Sequence, residues 1–436
     1  MHFFTTRITP ASALAFAALF LASPAWADKA PGGFSAGEVE SILPLLRKGR
    51  LVALSETDSH GDLEAMTLAV RVDAPRDKTF EVFEDPSKFY YLSPLFKENE
   101  VLQEHGRSKS FSWASRHKLF SVVGRNTIHL FPPRRADVHV AESTIGEGTF
   151  TVTLHEDGPD HTVVVVCGAL DVRSSEWLIR YLMGGNPAIR QAMNVAIGIV
   201  MTKGIKTMAE RIAKDEPLAK HRTRGRSGGK PHQLGRKALE ALAPLLARGT
   251  AVVTESRRGG RLRQASVIEV LDFPARDVLA AVSTPDNYGR LIKAIDKIRV
   301  HETEDESVEF SWSLGFSVFD LESRNRMTQV DGGVLIEAVA GDMPRGKWRW
   351  QIVPVSENRC AVAYHGFVDL RKSAYILKKT VRAEPYLEHG LLAGSNMVLI
   401  RAIRLGLQRS TGERDSLNSR NRSFRKAAGP KSAPAE

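Results

Sequence analysis

Apolar residues fall at helical spacing from Ser35 to Lys48 (Val39, Ile42, Leu45, Leu46), and the run stops at Gly49, a residue suited to the turn that closes a helix. Pro44 inside it predicts a kink. Leu63 to Val72 puts Leu68, Val70 and Val72 on one face and predicts a strand. Pro75 opens a helix carrying Phe80, Val82 and Phe83 up to Asp85-Pro86, because a proline early in a helix gives up no hydrogen bond. A second short helix is predicted from Pro86 to Leu92. Six segments follow: Glu100 to Glu104, Ser110 to Ser115, Leu119 to Phe131, Asp137 to Glu142, Gly148 to Glu156 and Thr162 to Val172. They are rich in β-branched or aromatic residues, and Gly, Pro or charged turns separate them, the pattern of an antiparallel meander. After the interruption at Gly184-Gly185, Asn186-Pro187 caps and starts a long helix with Ile189, Met193, Ala196, Val200, Gly204, Met208 and Ile212 on one stripe. That stripe must be buried, and the concave face of the sheet is the large surface available to it.

The whole pattern then repeats. Pro75 and Pro274 are 199 residues apart, as are Pro86 and Pro285, Phe111-Ser112-Trp113 and Phe310-Ser311-Trp312, and Arg125-Asn126 and Arg324-Asn325. Asp171 and Asp369, and Pro187 and Pro385, follow at 198. A period this long means that each copy is a domain rather than a solenoid unit. The expected organisation is a first domain over 34–217, a flexible basic linker over 218–234, a second domain over 235–409 and a disordered basic tail over 410–436.

The stretch Val70-Arg71-Val72-Asp73-Ala74-Pro75, Phe80-Glu81-Val82-Phe83-Glu84-Asp85-Pro86 and Phe89-Tyr90-Tyr91-Leu92 resembles the opening of the START-like (SRPBCC, helix-grip) superfamily. That superfamily includes polyketide cyclases, lipid-transfer proteins and coenzyme Q-binding proteins. The second copy keeps Pro274, Pro285 and Tyr288 but has Thr284 in place of the Asp of Asp-Pro. The resemblance implies an α+β chain of two tandem helix-grip domains, each a curved antiparallel sheet of about seven strands wrapped on a long C-terminal helix. It also implies a cavity for a hydrophobic small molecule or lipid between helix and sheet. Phe111, Trp113, Phe150 and Met193 are the cavity candidates in the first copy. Phe310, Trp312, Trp348, Trp350 and Leu391 are those in the second. A filled aromatic core is the competing reading for each.

Charge changes the picture in one respect. The formal net charge is +11, and the segment Lys220 to Lys230 with the tail beyond Gln408 accounts for nearly all of it. The domains themselves are therefore near neutral, which argues against a nucleic-acid-binding face. The two basic segments read either as solvated tethers or as peripheral contacts with an anionic membrane. Arg7, the apolar run Ala11 to Ala22, and Ala25-Trp26-Ala27 form a cleavable signal peptide over 1–27, so a periplasmic or secreted protein is expected. Cys167 and Cys360, one per copy, read as small buried strand residues, with a bridge between the copies as the alternative.

Candidate chemistry is sparse. No P-loop, dinucleotide fingerprint, nucleophile elbow or metalloprotease motif is present, and no residue pattern calls for a metal or cofactor. Arg125 and Arg324 recur in mid-sheet. Pointing inward they would grip a ligand's carboxylate or hydroxyl, and pointing outward they would be cross-strand ion-pair partners. Three functions follow as expectations. The first is an exported binder or carrier of a lipid or other hydrophobic small molecule. The others are a protein-interaction module with filled cores, and a cyclase- or hydratase-type enzyme on an aromatic or polyketide substrate.

Overall fold

The computed structural model describes residues 33–59, 61–116, 121–175, 187–292, 295–301, 307–316, 319–373 and 375–427. The expected signal peptide lies outside them. The first repeat runs α1 (Ala36–Leu46), β1 (Leu51–Thr57), β2 (Leu63–Val72), α2 (Arg76–Glu84), a 3-10 turn (Pro86–Tyr91), β3 (Phe96–His105), β4 (Ser108–Arg116), β5 (Ser121–Phe131), β6 (Arg135–Ser143), β7 (Glu147–Glu156), β8 (Thr162–Asp171) and α3 (Pro187–Ala213). The second repeats it as α4 (Arg236–Leu246), β9 (Thr250–Ser256), β10 (Leu262–Leu271), α5 (Ala275–Val282), α6 (Pro285–Leu291), β11 (Ile295–His301), β12 (Ser307–Phe316), β13 (Phe319–Val330), β14 (Gly333–Gly341), β15 (Lys347–Ser356), β16 (Arg359–Phe367), α7 (Tyr375–Ala383) and α8 (Leu387–Ala427).

Each repeat therefore has eight strands, not seven, and the additional one makes the molecule. β1 and β9 pair antiparallel and join the halves into one 16-stranded sheet. Ala53 lies opposite Val252, its own counterpart 199 residues on. Leu51 opposite Thr254 and Ser55 opposite Thr250 flank that pair symmetrically, so a local two-fold axis passes through it. Salt bridges follow the same axis, with Arg248 on Glu56 at 2.9 Å and Arg50 on Glu255 at 2.7 Å.

The junction has three layers. Ala53, Leu51 and Val252 face inward with Met66, Leu68, Val195 and Ile199. Val52, Leu54, Ala251 and Val253 face outward beneath Ile42, Leu45, Leu242 and Leu245 of α1 and α4. Inside, α3 and α8 lie against each other and against the sheet. Their backbones approach closely, since a Cβ on Gly390 would come within 2.7 Å of the Ala196 Cα. The expected single stripe on α3 is accordingly too narrow. Residues as far round as Gln191, Asn194, Val195 and Lys203 are buried as well, because the helix meets a sheet on one side and a helix on another. The stretch Leu387–Ser410 is long and apolar enough to cross a membrane, but here it is the core helix of the second repeat.

Two expected unstructured segments are otherwise. The tail does not begin as coil, for α8 continues to Ala427. Residues 218–234 are a packed strap rather than a flexible linker. Arg224 N–H donates to the Gly259 carbonyl at 2.9 Å, Gly228 N–H to the Leu262 carbonyl at 2.7 Å, and Leu234 N–H to Gln351 Oε1 at 3.0 Å. Gly228 has φ of +78°, and a Cβ there would run into the Phe367 ring. Gly228→Ala is expected to lower stability by about 2 kcal/mol or more, from left-handed strain plus overpacking. Denaturant unfolding of the full chain checks it, and a loss below about 0.5 kcal/mol would mean that the strap does not bear on stability.

Candidate functional site

In the first repeat, α3 closes over β2 and β8 but leaves a groove beyond the 3-10 turn and the β3–β5 edge. Its volume is about 1360 Å³, and Tyr90, Tyr91, Asn99, Trp113, Gly124 and Leu218 are among the residues lining it. Trp113 is placed by its strand. β4 alternates so that Phe111 and Trp113 face the helix side, and the Trp113 ring lies flat over Gly124 on β5, where a Cβ would come within 2.6 Å of it. The indole N–H donates to Asn126 Oδ1 at 3.0 Å, and Phe96 meets the ring edge-on with centroids 5.6 Å apart. The apolar wall thus carries a polar handle, the general character of a small-molecule site.

One lip of the groove is held by the strap. Lys220 Nζ stands 3.5 Å from the centre of the Tyr90 ring and donates to the Phe96 carbonyl at 2.8 Å. The ammonium holds the Tyr90 phenol below its usual pKa. Further along the lip, Ser93 Oγ donates to Glu384 Oε2 at 2.5 Å, and Glu384 also accepts from His221 Nε2 at 2.7 Å. The His221 ring stacks on Tyr386 at 4.0 Å. The lip of the first repeat is therefore fastened to the end of α7 in the second through a buried carboxylate.

Of the first-repeat candidates, Trp113 lines the groove and Arg125 stands at its rim. Arg125 points to the outer face, more than half exposed, and pairs with Glu142 at 3.6 Å. Phe111 lies behind the wall, edge-on to Phe89. Phe150 packs against the same helix-side core as Phe111 and also against a small cluster of Val140, Leu170 and Val172, which Met193 joins. Asn99, Asn126, Tyr90 and Tyr91 were missed. Asn126 stands behind Trp113 rather than in the lining, and its mark in the sequence was its own recurrence as Asn325, together with Arg125 and Arg324.

The second repeat is different. Phe310, Trp312, Trp348 and Trp350 are all buried in one core with Tyr288 and Tyr364. Trp350 donates to the Tyr288 hydroxyl at 2.8 Å and lies 4.2 Å from the Tyr364 ring. Burial raises the pKa of both tyrosines, so both stay neutral; the Tyr288 hydroxyl donates to the Val282 carbonyl at 2.9 Å, while the Tyr364 hydroxyl is buried with no hydrogen-bond partner among the described residues. These four aromatics are packing, as is half-buried Leu391 beside them. Arg324 points outward and pairs with Glu309 at 2.6 Å. The extra tryptophans that marked this copy in the sequence fill it rather than line a cavity.

Neither histidine nor cysteine lines the groove among the described residues. His365, buried on the outer face under the strap, is bonded to Ser266 Oγ at 2.8 Å and Gln351 Oε1 at 2.9 Å. Burial pushes it down to about 3, so it stays neutral with both ring nitrogens engaged. Cys167 and Cys360 are buried thiols not joined in a disulfide, and burial raises the Cys360 thiol to about 11. No group of three or more potential metal ligands occurs among the described residues.

Residues 271–377 match the family model described as "Polyketide cyclase / dehydrase and lipid transport". No curated protein matches the chain. Among solved structures, the di-domain ARO/CYC StfQ from the steffimycin biosynthetic pathway is 10% identical, with 79% of this chain and 99% of that one covered at a TM-score of 0.27. A STAR-related lipid transfer protein fragment from Xanthomonas axonopodis is 15% identical, covering 37% of this chain and 93% of its own at 0.28. A START superfamily protein from Mycobacterium smegmatis is 14% identical, covering 35% and 97% at 0.28.

Proposed function

For a chain whose second repeat falls in the polyketide cyclase and lipid transport family, and whose first repeat has the same order of elements, we propose a carrier of one hydrophobic small molecule or lipid. The ligand is held by the first repeat. The observation that carries this reading is the asymmetry between the copies, in which the groove at Trp113 and Tyr91 stands open while the matching interior around Trp312 and Trp350 is solid. The second repeat then serves as the structural half. It completes the sheet and, through Glu384, holds the lip of the groove. We place the protein outside the cytoplasm, on the strength of the N-terminal pattern around Ala25-Trp26-Ala27.

Organic extraction of the purified full chain, followed by mass spectrometry, is expected to release one class of apolar molecule near one equivalent per chain. Tyr91→Ala with Trp113→Ala is expected to reduce that yield about tenfold, since each ring removes a large part of the apolar wall. A wild-type extract empty of apolar molecules, or an equal yield from the variant, would defeat the carrier reading. The filled second core supports a secondary reading, in which that repeat is a docking body for another protein. Extraction of ligand from a Trp350→Ala variant at wild-type yield is compatible with both. N-terminal sequencing of protein from the cell envelope tests the export step, with Asp28 expected as the first residue.

A further inference from the structure

The strap and α7 present one continuous basic surface. Arg222, Arg224 and Arg226 of the strap are exposed, as are Lys372, Lys379 and Arg382 on and before α7, and none of the six forms an ion pair with a described residue. The two sets are adjacent, because Arg371 Nη2 donates to Thr223 Oγ1 at 2.7 Å. α7 is amphipathic. Leu377 and Val381 pack into the core, and the opposite side carries the cations with Tyr375, the most exposed large apolar residue described, at 69%. Lys379 lies over the Tyr375 ring at 5.3 Å.

We propose that this face docks the protein on an anionic lipid surface. Unpaired cations supply the attraction to phosphate head groups, and an exposed tyrosine among them is the side chain that settles at a bilayer interface. A single-stranded nucleic acid would call for several stacking rings, and among the described residues of this face Tyr375 is the one exposed ring. The face is also specific to the second copy: residues 176–186, which correspond to α7, hold one cation, Arg180, in sequence. Its position gives the docking a use. α7 ends at Ala383, and the next residue, Glu384, accepts the hydrogen bond from Ser93 in the groove lip. Delivery of ligand to the membrane rests on the carrier reading above, whereas docking itself does not.

The test is co-sedimentation of the full chain with vesicles of phosphatidylcholine alone, or of phosphatidylcholine with phosphatidylglycerol, at low and high salt. Binding is expected only to the anionic vesicles and is expected to fall with salt. Lys379→Glu/Arg382→Glu should weaken it about tenfold or more, while Arg236→Glu/Lys237→Glu, the same charge change on α4, should leave it within about twofold. Equal binding to neutral vesicles, equal loss in both variants, or no loss in the α7 variant would overturn the proposal. So would tighter binding to a single-stranded oligonucleotide than to anionic vesicles. Bound ligand in the α7 variant, measured by extraction, is expected to stay at the wild-type level, which separates this result from a failure of the carrier reading.

Discussion

Glu388→Gln is expected to destabilise the protein by about 3–5 kcal/mol, because it leaves a buried guanidinium without its partner. Glu388 is fully buried on the first turn of α8. It accepts from Arg261 through both oxygens, at 3.1 and 3.0 Å, and from Ser227 Oγ of the strap at 2.9 Å. Arg261 is itself buried, and its next carboxylate, Asp369, stands at 4.0 Å and is shared with Arg345. The pair was costly to bury, so the loss measures an orphaned charge rather than the net worth of the salt bridge. Replacing both partners, Arg261→Met/Glu388→Met, is therefore expected to cost far less than Glu388→Gln alone. Urea unfolding of the three proteins decides it: a single substitution costing under about 1 kcal/mol, or a double one costing as much as the single, would contradict the assignment.

The second large effect is on pH dependence. Lys203 of α3 points into the junction, donates to Ser256 Oγ at 3.0 Å and stands 5.1 Å from the centre of the Tyr386 ring. Burial, with repulsion from Lys206, pushes it down to about 7, against a smaller opposing pull from Glu210. His389 on α8, pushed down by burial and by Lys203, stays neutral beside it. Unfolded, Lys203 keeps its proton up to its ordinary pKa near 10.5. Between about 7 and 10.5 the unfolded chain therefore binds more protons than the folded one, and stability rises with pH across that window. Below it both states are protonated, and the full cost of burying the charge is present. Lys203→Met is expected to gain at most roughly 4 kcal/mol near neutral pH, with the two proteins converging as pH approaches 10. Parallel curves for the variant and wild type across that range would show that Lys203 is not the titrating group.

Much of this molecule was legible from spacing alone, and the reasons differ by element. The strands β3 to β7 announced themselves because their outer faces meet water, so polar and apolar positions alternate along them, whereas β8, buried on both faces, was marked by its β-branched run after the turn at Gly158-Pro159. α3 and α8 were marked by prolines and apolar stripes. β1 escaped because it is buried on both faces. Leu51-Val52-Ala53-Leu54 is an unbroken apolar run following a helix, with no alternation to distinguish a strand from a helical end. The strap escaped for the opposite reason. Its arginines and glycines have the composition of a solvated tether, yet its backbone is paired with the β9–β10 hairpin and His221 and Ser227 are buried. The aromatic candidates divided between the copies on a criterion no composition contains, namely whether the facing helix brings enough volume to fill the space beneath the sheet.

Two copies of one α+β unit, the order of their strands and helices, and the place of the charge excess can all be read from the linear string. They are properties of local periodicity and of repeated residues, which need no folded chain to be visible. Three further features exist only once the chain has folded. The copies share one sheet about a local two-fold axis, one interior is packed while the other keeps a groove, and Glu384, Glu388 and Lys203 are buried where the copies meet. Each of these depends on which surfaces face one another across some 200 residues of chain, and burial of that kind leaves no periodic mark on the residues that take part in it.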